Sequence, residues 1–362
     1  MTTALLSGTP RTKLWTGSVI DIDVHANVPS IESLFPYMEP VWVQATEERG
    51  WHGPTGPRYS YPPGATTTAR PEWRHDGEEP ASKLRMLQTD LLDPWNVEKA
   101  IVNCYYGIDS LRHPDWAPAL ARAVNDWIIA EWLDKDPRLS ASLVIPARDP
   151  LAAAAEIDRV GSHPGFVQVM LPVRSERLYG QRIFYPIYEA ATRNDLVVGL
   201  QWGGTTEDAP SPTGYSSYYA EEYAAETQLY LAQLTSMVFE GTFQKFPTLR
   251  VAVMEGGFTW VPMWGWSMNK KWKGLRRETP WVDRLPFEIV RDHIRFSVAP
   301  SDLGTVEQSK RIVDWLGSDD LLMFATDYPH RHDDQLEKLL EVVPASMAPK
   351  LMSETARSWY RL

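Results

Sequence analysis

Short apolar stretches alternate with longer amphipathic stretches along most of this chain, and that alternation predicts an α/β fold. Acidic and histidine side chains follow directly after the first and the last of the apolar stretches. In a closed barrel of parallel strands, that end is where functional sites are built. We therefore predict a distorted (β/α)8 TIM barrel forming a single domain over residues 1–362, with an insertion after the first strand and helices at the C-terminus.

The first strand is predicted at about residues 18–24, and two polar side chains lie at its end. Asp23 and His25 are two residues apart, and residues at positions i and i+2 of a strand project from the same face. A carboxylate and an imidazole on one face match the geometry of a metal site. We expect both side chains to point into the barrel.

The last strand is predicted at 321–325 and is followed by a second acid and a second histidine. Its apolar run is continuous, as in a parallel sheet covered on both faces. Asp327 and His330 follow it. His330 is expected at the barrel mouth as a proton donor, a substrate contact or a further metal ligand; a surface histidine that caps the next helix is the alternative. His332 is expected to lie in solvent.

The elements between these two strands keep the alternating order. The other strands are predicted at 97–105, 140–145, 166–171, 196–201, 249–254 and 293–298. The helices are predicted at 81–92, 116–134, 150–161, 184–194 and 223–245. An open, doubly wound sheet is the alternative arrangement, but the sequence has no Gly-x-Gly-x-x-Gly or Walker motif that would favour nucleotide binding.

Residues 29–80 are rich in Pro, Gly, Trp and charged residues and show no sustained periodicity. A long structureless stretch in a compact domain usually marks a functional insertion, so we expect a cap over the barrel mouth. His52 and His75, which lie within this segment, are expected to be structural. Residues 202–222 form a second polar, aromatic loop, which follows a strand and therefore belongs to the same face of the barrel.

Three motifs occur in a fixed order along the chain. They are Asp-x-Asp-x-His at 21–25, Glu-Gly-Gly-Phe-x-Trp-Val-Pro at 255–262 and Ala-Thr-Asp-Tyr-Pro-His at 325–330. Together they resemble the amidohydrolase-related metal-dependent enzymes (amidohydrolase family 2) of the aminocarboxymuconate-semialdehyde decarboxylase type. The resemblance extends from about residue 18 to about residue 340.

The resemblance implies a metal site at the barrel mouth. Its ligands would be Asp23, His25, Glu255, Asp327 and His330, and the catalytic side chains among them would be Glu255, Asp327 and His330. The family usually has histidines on strands 5 and 6, where this chain has Gln201 and Glu255. The resulting oxygen-rich set suits Zn, Mn or Fe, as one or two ions. By the same resemblance, Asp21 is expected to orient a ligand.

Four further residues are expected to contact a small-molecule substrate: Gln201, Trp202, Arg174 and Arg295. The two arginines are candidates because a guanidinium binds a carboxylate through two parallel hydrogen bonds. Each arginine could equally serve an internal ion pair.

The resemblance implies a metal-dependent hydrolase of a small or aromatic, polyketide-like substrate, or a non-oxidative decarboxylase. In a hydrolase, Asp327 would take the proton of a water molecule. One alternative is a non-haem iron oxygenase with one or two irons. Another is a non-catalytic binding relative whose acids only hold strand ends. Acids that converge without a cation repel each other, which favours metal binding.

The amino-acid composition limits the classes of partner that the protein is expected to bind. The chain has 36 basic and 47 acidic residues, a net charge of −11 and no basic run, which argues against binding nucleic acid or an anionic membrane. A single cysteine, Cys104, and the lack of a leader-like or membrane-length apolar run predict a cytoplasmic protein. The 16 Trp and 15 Tyr are expected in the core and in a subunit interface, or in an aromatic pocket for a bulky apolar substrate, and the resemblance implies a homodimer.

Overall fold

A single sheet of eight parallel strands runs through the part of the chain that the structure describes. The computed structural model describes residues 14–54, 68–204, 208–211, 213–330, 332 and 336–362. The strands are β1 (Ile20–His25), β2 (Lys99–Asn103), β3 (Leu139–Leu143), β4 (Phe166–Pro172), β5 (Val197–Gln201), β6 (Val251–Val253), β7 (Ile294–Ser297) and β8 (Leu322–Met323). Each strand pairs with the next one in sequence.

Backbone hydrogen bonds between the last strand and the first close this sheet into a barrel. The Ile22 amide donates to the Phe324 carbonyl at 3.1 Å, and the His25 amide donates to the Tyr328 carbonyl at 2.7 Å. The predicted (β/α)8 TIM barrel is therefore confirmed. The distortion lies at β8, which keeps regular pairing for only two residues before the chain turns across the mouth.

Helices connect the strands and cover the outside of the barrel. They are α1 (Pro40–Arg49), α2 (Leu84–Leu87), α3 (Trp116–Ile128), α4 (Pro150–Val160), α5 (Tyr185–Arg193), α6 (Tyr219–Ala225), α7 (Thr227–Phe239), α8 (Thr242–Lys245), α9 (Val261–Leu275), α10 (Pro286–His293), α11 (Val306–Leu316), α12 (Leu336–Val342) and α13 (Thr355–Tyr360). Wider π-helical turns, Gln88–Leu92 and Ile129–Leu133, extend α2 and α3, and Lys350–Glu354 precedes α13. Short 3-10 helices occur at Ile31–Tyr37, Pro71–Trp73, Ile108–Ser110 and Arg182–Phe184.

Local sequence signals fix several helix ends. Asp149 accepts hydrogen bonds from the Leu151 and Ala152 amides at the start of α4, whose first residue is a proline. Thr305 and Gln308 form a reciprocal capping box at the start of α11, which ends at Gly317 in the left-handed conformation.

The prediction that residues 29–80 are structureless is wrong for much of the described part. This segment contains α1 and two 3-10 helices, and Trp42 of α1 stacks on Trp116 of α3 with ring centroids 5.7 Å apart. Helical periodicity was missing from the sequence because Val41, Trp42 and Val43 are consecutive rather than spaced on one face. Residues 55–67 lie outside the described residues. Residues 68–73 pack beside Tyr328, which supports a position near the mouth.

The single helix predicted at 223–245 is three helices, α6, α7 and α8. The helix begins four residues earlier than predicted, at Tyr219, and its backbone stays helical through Glu226. Gly241 separates α7 from α8 because it adopts a positive φ of 77°, which a side chain would disfavour.

The barrel interior divides into a lower apolar layer and an upper polar layer. At the amino-terminal ends of the strands, Ile20, Ile101 and Val197 pack with Trp359 and Tyr360 of α13. The C-terminal helix thus closes the bottom of the barrel, whereas the opposite end stays open to the connecting loops.

A chain of hydrogen bonds between buried polar side chains connects the two layers. The Tyr360 hydroxyl donates to Gln168 at 2.7 Å, and the Gln168 amide donates to Ser142 at 2.7 Å. Ser142 in turn donates to the side-chain oxygen Oδ1 of Asn103 at 2.5 Å, and the side-chain Nδ2 of Asn103 donates to Asp23 Oδ1 at 2.6 Å. Because each side chain forms a hydrogen bond with the next one, this chain of hydrogen bonds holds Asp23 in one orientation at the mouth.

Candidate metal centre

The ends of three strands and their turns deliver the acidic side chains to the mouth. Asp23 and His25 lie at the end of β1, Glu255 follows β6, and Asp327 follows β8. Glu255 and Asp327 have positive φ values of 58° and 53°, which are uncommon for residues with side chains. Strained backbone of this kind clusters at functional sites because it aims a side chain where a relaxed turn would not.

Three carboxylates converge on the His25 imidazole. The His25 Nε2 atom lies 2.7 Å from Asp327 Oδ1, 3.3 Å from Glu255 Oε1 and 3.6 Å from Asp23 Oδ1. One ligand atom from each of the four residues lies within 4.8 Å of the others. The structure therefore brings together Asp23, His25, Glu255 and Asp327, as the sequence predicted for a metal site.

Asp327 is surrounded by imidazoles. Its Oδ1 atom contacts His25 Nε2 and, at 2.9 Å, His330 Nδ1, while its Oδ2 atom contacts His332 Nε2. Burial opposes ionisation of Asp327, but His330, His332 and His25 together hold the pKa of its carboxyl well below the usual value. Asp327 is thus a carboxylate at neutral pH.

The structure corrects the expectation that His332 lies in solvent. Its side chain is 8% exposed, and it contacts both Asp327 and the Tyr223 hydroxyl, the latter at 3.1 Å. The turn after β8 brings His332 back towards the barrel axis. His330, whose side chain is 20% exposed, lies at the mouth with its ring 4.5 Å from the His25 ring.

The donor set fits a divalent cation. Asp23 is fully buried, and its Oδ2 atom has no hydrogen-bond partner among the described residues. Burial, followed by the charges of Glu255 and Asp327, raises the pKa of Asp23 well above its usual value even though His25 opposes the shift. An unpartnered buried oxygen beside two further carboxylates is costly in apolar surroundings and is stabilised by a cation.

His25 supplies the counter-charge when no metal is bound. Burial lowers its pKa, but hydrogen bonds to Asp327 and Glu255 outweigh burial and raise the pKa well above the usual value. A metal ligand must be the neutral imidazole. A divalent cation at this position would therefore replace the His25 proton.

Asp21 lies beside the cluster and ties β1 to the end of β8. It accepts hydrogen bonds from the Asp23 amide at 3.1 Å and from the Thr326 amide and hydroxyl at 3.1 and 2.7 Å. Burial raises its pKa to about 7, against the effect of the Thr326 hydrogen bond. These contacts support the predicted role of Asp21 in orienting a ligand. None of them is a contact with His25.

Gln201 and Trp202, at the end of β5, form one wall of the site. The Gln201 amide donates to Glu255 Oε1 at 2.8 Å and to Asp23 Oδ1 at 3.1 Å, so it bridges two of the acids. Trp202 lies next to it, with its ring centroid 6.5 Å from that of Tyr219. The role of both residues as substrate contacts stays a prediction.

The two predicted substrate arginines have other environments. Arg174 lies at the mouth, 5.7 Å from the Trp202 ring, but it is 2% exposed and forms a buried ion pair with Glu222 at 2.5 Å. Arg295 lies at the opposite end of the barrel, where it stacks on Trp359 at 4.0 Å and donates to two backbone carbonyls. Arg295 cannot reach the mouth, so its predicted role is wrong. The reason is that it occupies the second residue of β7 rather than its end.

Sequence reasoning missed three residues that contact or approach the cluster. Asn103 could have been found, because it is the polar residue at the carboxyl end of the apolar β2. Tyr223 and Glu226 lie at the junction of α6 and α7 and carry no signal of their own, because only the path of the preceding loop brings this helix to the mouth.

A family model described as amidohydrolase matches residues 20–362. The chain belongs to the amidohydrolase family. This membership confirms the resemblance inferred from the three motifs. It supports the prediction of a metal-dependent hydrolase or carboxy-lyase and gives no support to the iron oxygenase alternative. No curated protein sequence matches this amidohydrolase.

Several solved structures share the fold over nearly the whole chain. An amidohydrolase from Mycobacterium avium subsp. paratuberculosis K-10 is 18% identical, with 96% of this chain and 98% of that chain covered and a TM-score of 0.70. 2,6-Dihydroxybenzoate decarboxylase from Rhizobium is 17% identical, with 95% of this chain and 98% of that chain covered and a TM-score of 0.68. 5-Carboxyvanillate decarboxylase from Novosphingobium aromaticivorans, solved with manganese, is 16% identical, with 100% of both chains covered and a TM-score of 0.65.

Within the described residues, this amidohydrolase has no helix with the length and apolar character needed to cross a bilayer.

Proposed function

We propose that this amidohydrolase is a metal-dependent hydrolase that cleaves the acyl bond of a small, neutral substrate bearing an aromatic or other bulky apolar group. The observation that carries this proposal is the concentration of carboxylates at the mouth. Asp23, Glu255 and Asp327 meet around His25. A neutral ester, thioester or amide enters such a site without adding a further negative charge.

The arginine at the mouth supports a neutral substrate. Arg174 is already neutralised by Glu222 in a buried ion pair, and breaking such a pair to bind a substrate carboxylate leaves a buried charge unpaired. A negatively charged substrate would therefore have to be neutralised by the metal alone, which already faces three acids.

Asp23, His25, Glu255 and Asp327 would hold the metal, with His330 beside them. A bound divalent ion would polarise the acyl carbonyl and lower the pKa of a water molecule. The ionised Asp327 can accept a proton at a carboxylate oxygen, since its low pKa comes from imidazoles that can themselves share the proton. His330 holds Asp327 through Nδ1, and its Nε2 atom on the opposite edge of the ring can deliver a proton to the leaving group.

Aromatic side chains next to the cluster support the substrate class. The Trp202 ring lies edge-on to Tyr219, and Tyr219 stacks on Tyr223 with ring centroids 5.9 Å apart. Apolar and aromatic walls with a few convergent polar groups are typical of sites for small organic molecules. The Oε1 atom of Gln201, which has no partner among the described residues, can accept a hydrogen bond from a substrate N–H or O–H group.

Non-oxidative decarboxylation of a hydroxyaromatic acid is the second candidate. It is favoured by the shared fold of the two decarboxylases named above, one of which was solved with manganese. By the same analogy we propose manganese as the first ion to test, with zinc and iron as alternatives. The acid-rich mouth counts against decarboxylation, because that reaction needs a bound substrate carboxylate.

The two candidates can be separated with one set of samples. Chelator-treated protein would be reloaded with Mn²⁺, Zn²⁺ or Fe²⁺ and incubated with aromatic acyl esters and thioesters, and separately with dihydroxybenzoates. We expect metal-dependent release of the free acid from the neutral substrates and no CO2 from the benzoates. Release of CO2 with no acyl hydrolysis would establish the second candidate. Turnover that survives complete metal removal would exclude both.

We also propose, following the sequence, a cytoplasmic homodimer with a small-molecule substrate. The richness in Trp and Tyr supports an apolar subunit interface. Light scattering after size exclusion measures the oligomeric state directly, and a monomer at micromolar concentration would contradict the proposed dimer.

A further inference from the structure

Asp109 is a buried aspartate with an unpartnered side-chain oxygen. It lies in the 3-10 helix Ile108–Ser110, which follows β2, and it is 7% exposed. Its Oδ1 atom has no hydrogen-bond partner among the described residues. The Ala147 backbone amide donates to the carboxylate, so that hydrogen bond lies at the other oxygen, Oδ2. Oδ1 is therefore available to accept a hydrogen bond.

Other buried aspartates in the described chain show what a structural role requires. Asp136 accepts a hydrogen bond from Arg138 at 2.7 Å, and Asp208 pairs with Arg148 at 2.9 Å. Arg148 also contacts Asp109, but it donates to the backbone carbonyl there, at 2.7 Å. Buried acceptors normally have partners because an unpaired one is costly to desolvate. Burial accordingly raises the pKa of Asp109 to about 7, against the charge of Arg148. Packing alone does not account for Asp109.

The Asp109 side chain lines a narrow pocket. Apolar and aromatic side chains form much of the rest of its wall, among them Tyr105, Val144, Met170 and Pro172. The free volume is about 10 Å³, which is close to what one water-sized group requires. The pocket therefore fits one small substituent of a ligand rather than a whole molecule.

This pocket lies directly above the buried chain of hydrogen bonds. Tyr105, Val144 and Met170 each follow one member of that chain by two residues, and side chains two residues apart on a strand share a face. The uppermost member, Asn103, donates to Asp23 Oδ1 at 2.6 Å. The pocket is thus next to the metal centre, on the side of the mouth formed by β2, β3 and β4.

Tyr105 connects the pocket to the wall of the mouth at the end of β5. Its hydroxyl donates to the Gly204 carbonyl and accepts from the Gly204 amide, both at 2.8 Å. Gly203 has a positive φ of 154°, and a Cβ there would lie 3.1 Å from the Tyr105 ring. Gly204 follows Gln201 by three residues, so the pocket and this wall border the same space. A molecule held at the metal centre can therefore extend one substituent towards Asp109.

We propose that Asp109 binds a hydroxyl or amino substituent of the substrate, whose O–H or N–H group donates to Oδ1 while the rest of the molecule lies at the metal centre. The inference rests on the proposed function only in calling this molecule the substrate. A site built to bind a hydrogen-bond donor discriminates strongly against an analogue that lacks it, because the buried acceptor is then left unpaired.

Three probes of nearly equal size test the proposal. Phenol, aniline and toluene carry a hydroxyl, an amino and a methyl group on the same ring. Their affinities for the full-length protein would be measured by ligand-detected nuclear magnetic resonance, with Mn²⁺ and after chelator treatment. For the wild type we expect aniline and phenol to bind more tightly than toluene under both conditions.

Asp109→Asn should lower the ratio of aniline affinity to toluene affinity at least about tenfold. In this variant the amide oxygen is expected to keep the hydrogen bond from Ala147, which turns the amide NH2 group towards the pocket, where it opposes the aniline N–H. Phenol should lose less, because its oxygen can also accept. A merely structural change would weaken the binding of all three probes alike.

Two further variants complete the test. Val144→Ile adds a methylene group to the wall of the pocket and should remove the preference without changing any charge. Asp115→Asn, an exposed change six residues along the chain, is the matched control and should keep the wild-type ratio. Thermal melting checks that each variant is folded, and if Asp109→Asn fails to fold, Val144→Ile decides the question by itself.

Unchanged ratios in the folded variants would show that the pocket holds only water, and they would overturn the proposal. A preference that requires Mn²⁺ would place the substituent on the metal instead and would overturn it as well. None of these measurements needs turnover. The expected ratios in a protein without hydrolase activity would leave the Asp109 site standing and remove only the proposed function, whereas hydrolysis without the preference would do the reverse.

Discussion

At the carboxyl-terminal end of the strands the barrel interior holds Asp23, His25, Glu255 and Asp327, whereas at the amino-terminal end it holds apolar side chains. Trp359 and Tyr360 close that lower end, and Arg295 stacks on the Trp359 ring there. The same eight strands thus carry two environments, which differ in whether the buried groups are compensated within the protein.

The difference indicates where stability and function reside. Apolar burial at the lower end stabilises the barrel by about 25 cal/mol per Å² of apolar surface. The mouth works against folding, because converging carboxylates repel one another and lose hydration. A cation would compensate the mouth, whereas apolar packing stabilises the lower end, so we expect a change at either end to have its main effect there.

Asp327→Asn should have the largest effect on function. The change keeps the shape of the side chain but removes the charge that His25, His330 and His332 contact. We expect metal occupancy to fall and metal-dependent hydrolysis to decrease about 10²–10⁴-fold. Elemental analysis and kcat/KM measure the two effects. Asp314→Asn, an exposed change on α11, should alter neither, and full occupancy in Asp327→Asn would contradict the site.

Trp359→Ala should have the largest effect on stability and none on metal binding. Trp359 is 8% exposed and packs between the barrel floor and Arg295. Removing a buried Trp costs about 3–5 kcal/mol in the free energy of unfolding, which urea denaturation measures. Trp315→Ala, at a side chain that is 45% exposed, should cost far less. A fall in metal per folded Trp359→Ala chain would show that the two ends are coupled.

Asp136→Asn tests an ion pair near the lower end. Asp136 accepts two hydrogen bonds from the Arg138 guanidinium, at 3.0 and 2.7 Å, and these lower its pKa from 3.8 to about 2 despite burial. The interactions of Asp136 with Arg138 and Gln88 therefore contribute together about 2 kcal/mol at neutral pH.

This contribution depends on pH with a definite sign. Because the folded pKa is depressed, the contribution is complete above about pH 4 and is lost as the pH falls towards 2. Urea denaturation of the wild type and Asp136→Asn should give curves that differ at pH 7 and converge near pH 2. The neighbouring Asp134→Asn, an exposed change, is the control. A difference that stays constant between pH 7 and pH 2 would contradict the assignment.

Asp23→Asn should have the smallest effect, and the effect should change sign with metal. Without metal, the substitution removes an unpartnered buried oxygen and one of three mutually repelling charges, so the unfolding free energy should rise by about 1 kcal/mol. With Mn²⁺ in excess, the wild type should be the more stable protein because it binds the ion more tightly. Thermal melting with and without a chelator measures both. A wild type that is more stable than Asp23→Asn under both conditions would show that the mouth is not strained.

The strands and the first set of ligands could be predicted because both depend on local pattern. Continuous apolar runs fix the strands, the period of two places Asp23 and His25 on one face, and the parallel order puts Glu255 and Asp327 at the same end. The Arg295 prediction failed for a related reason: the side chain was assigned to the mouth without regard to its height along β7.

The helix-borne and loop-borne residues could not be predicted in this way. His332 reaches Asp327 only because the chain turns back after β8, and Tyr223 contacts His332 only because α6 lies at the mouth. The helix Pro40–Arg49 was missed because packing against α3, rather than a periodic apolar face, stabilises it.

The sequence by itself determined the barrel, the end at which its polar residues gather and the acid-and-histidine chemistry of that end, since these follow from hydrophobic period and strand direction. Only the tertiary structure decided which acids have partners. Whether a buried carboxylate meets a cation, an amide or another acid depends on contacts between residues far apart in the chain. Glu222 and Glu226 lie four residues apart and are both buried, yet within the described chain only Glu222 has an ion-pair partner, Arg174.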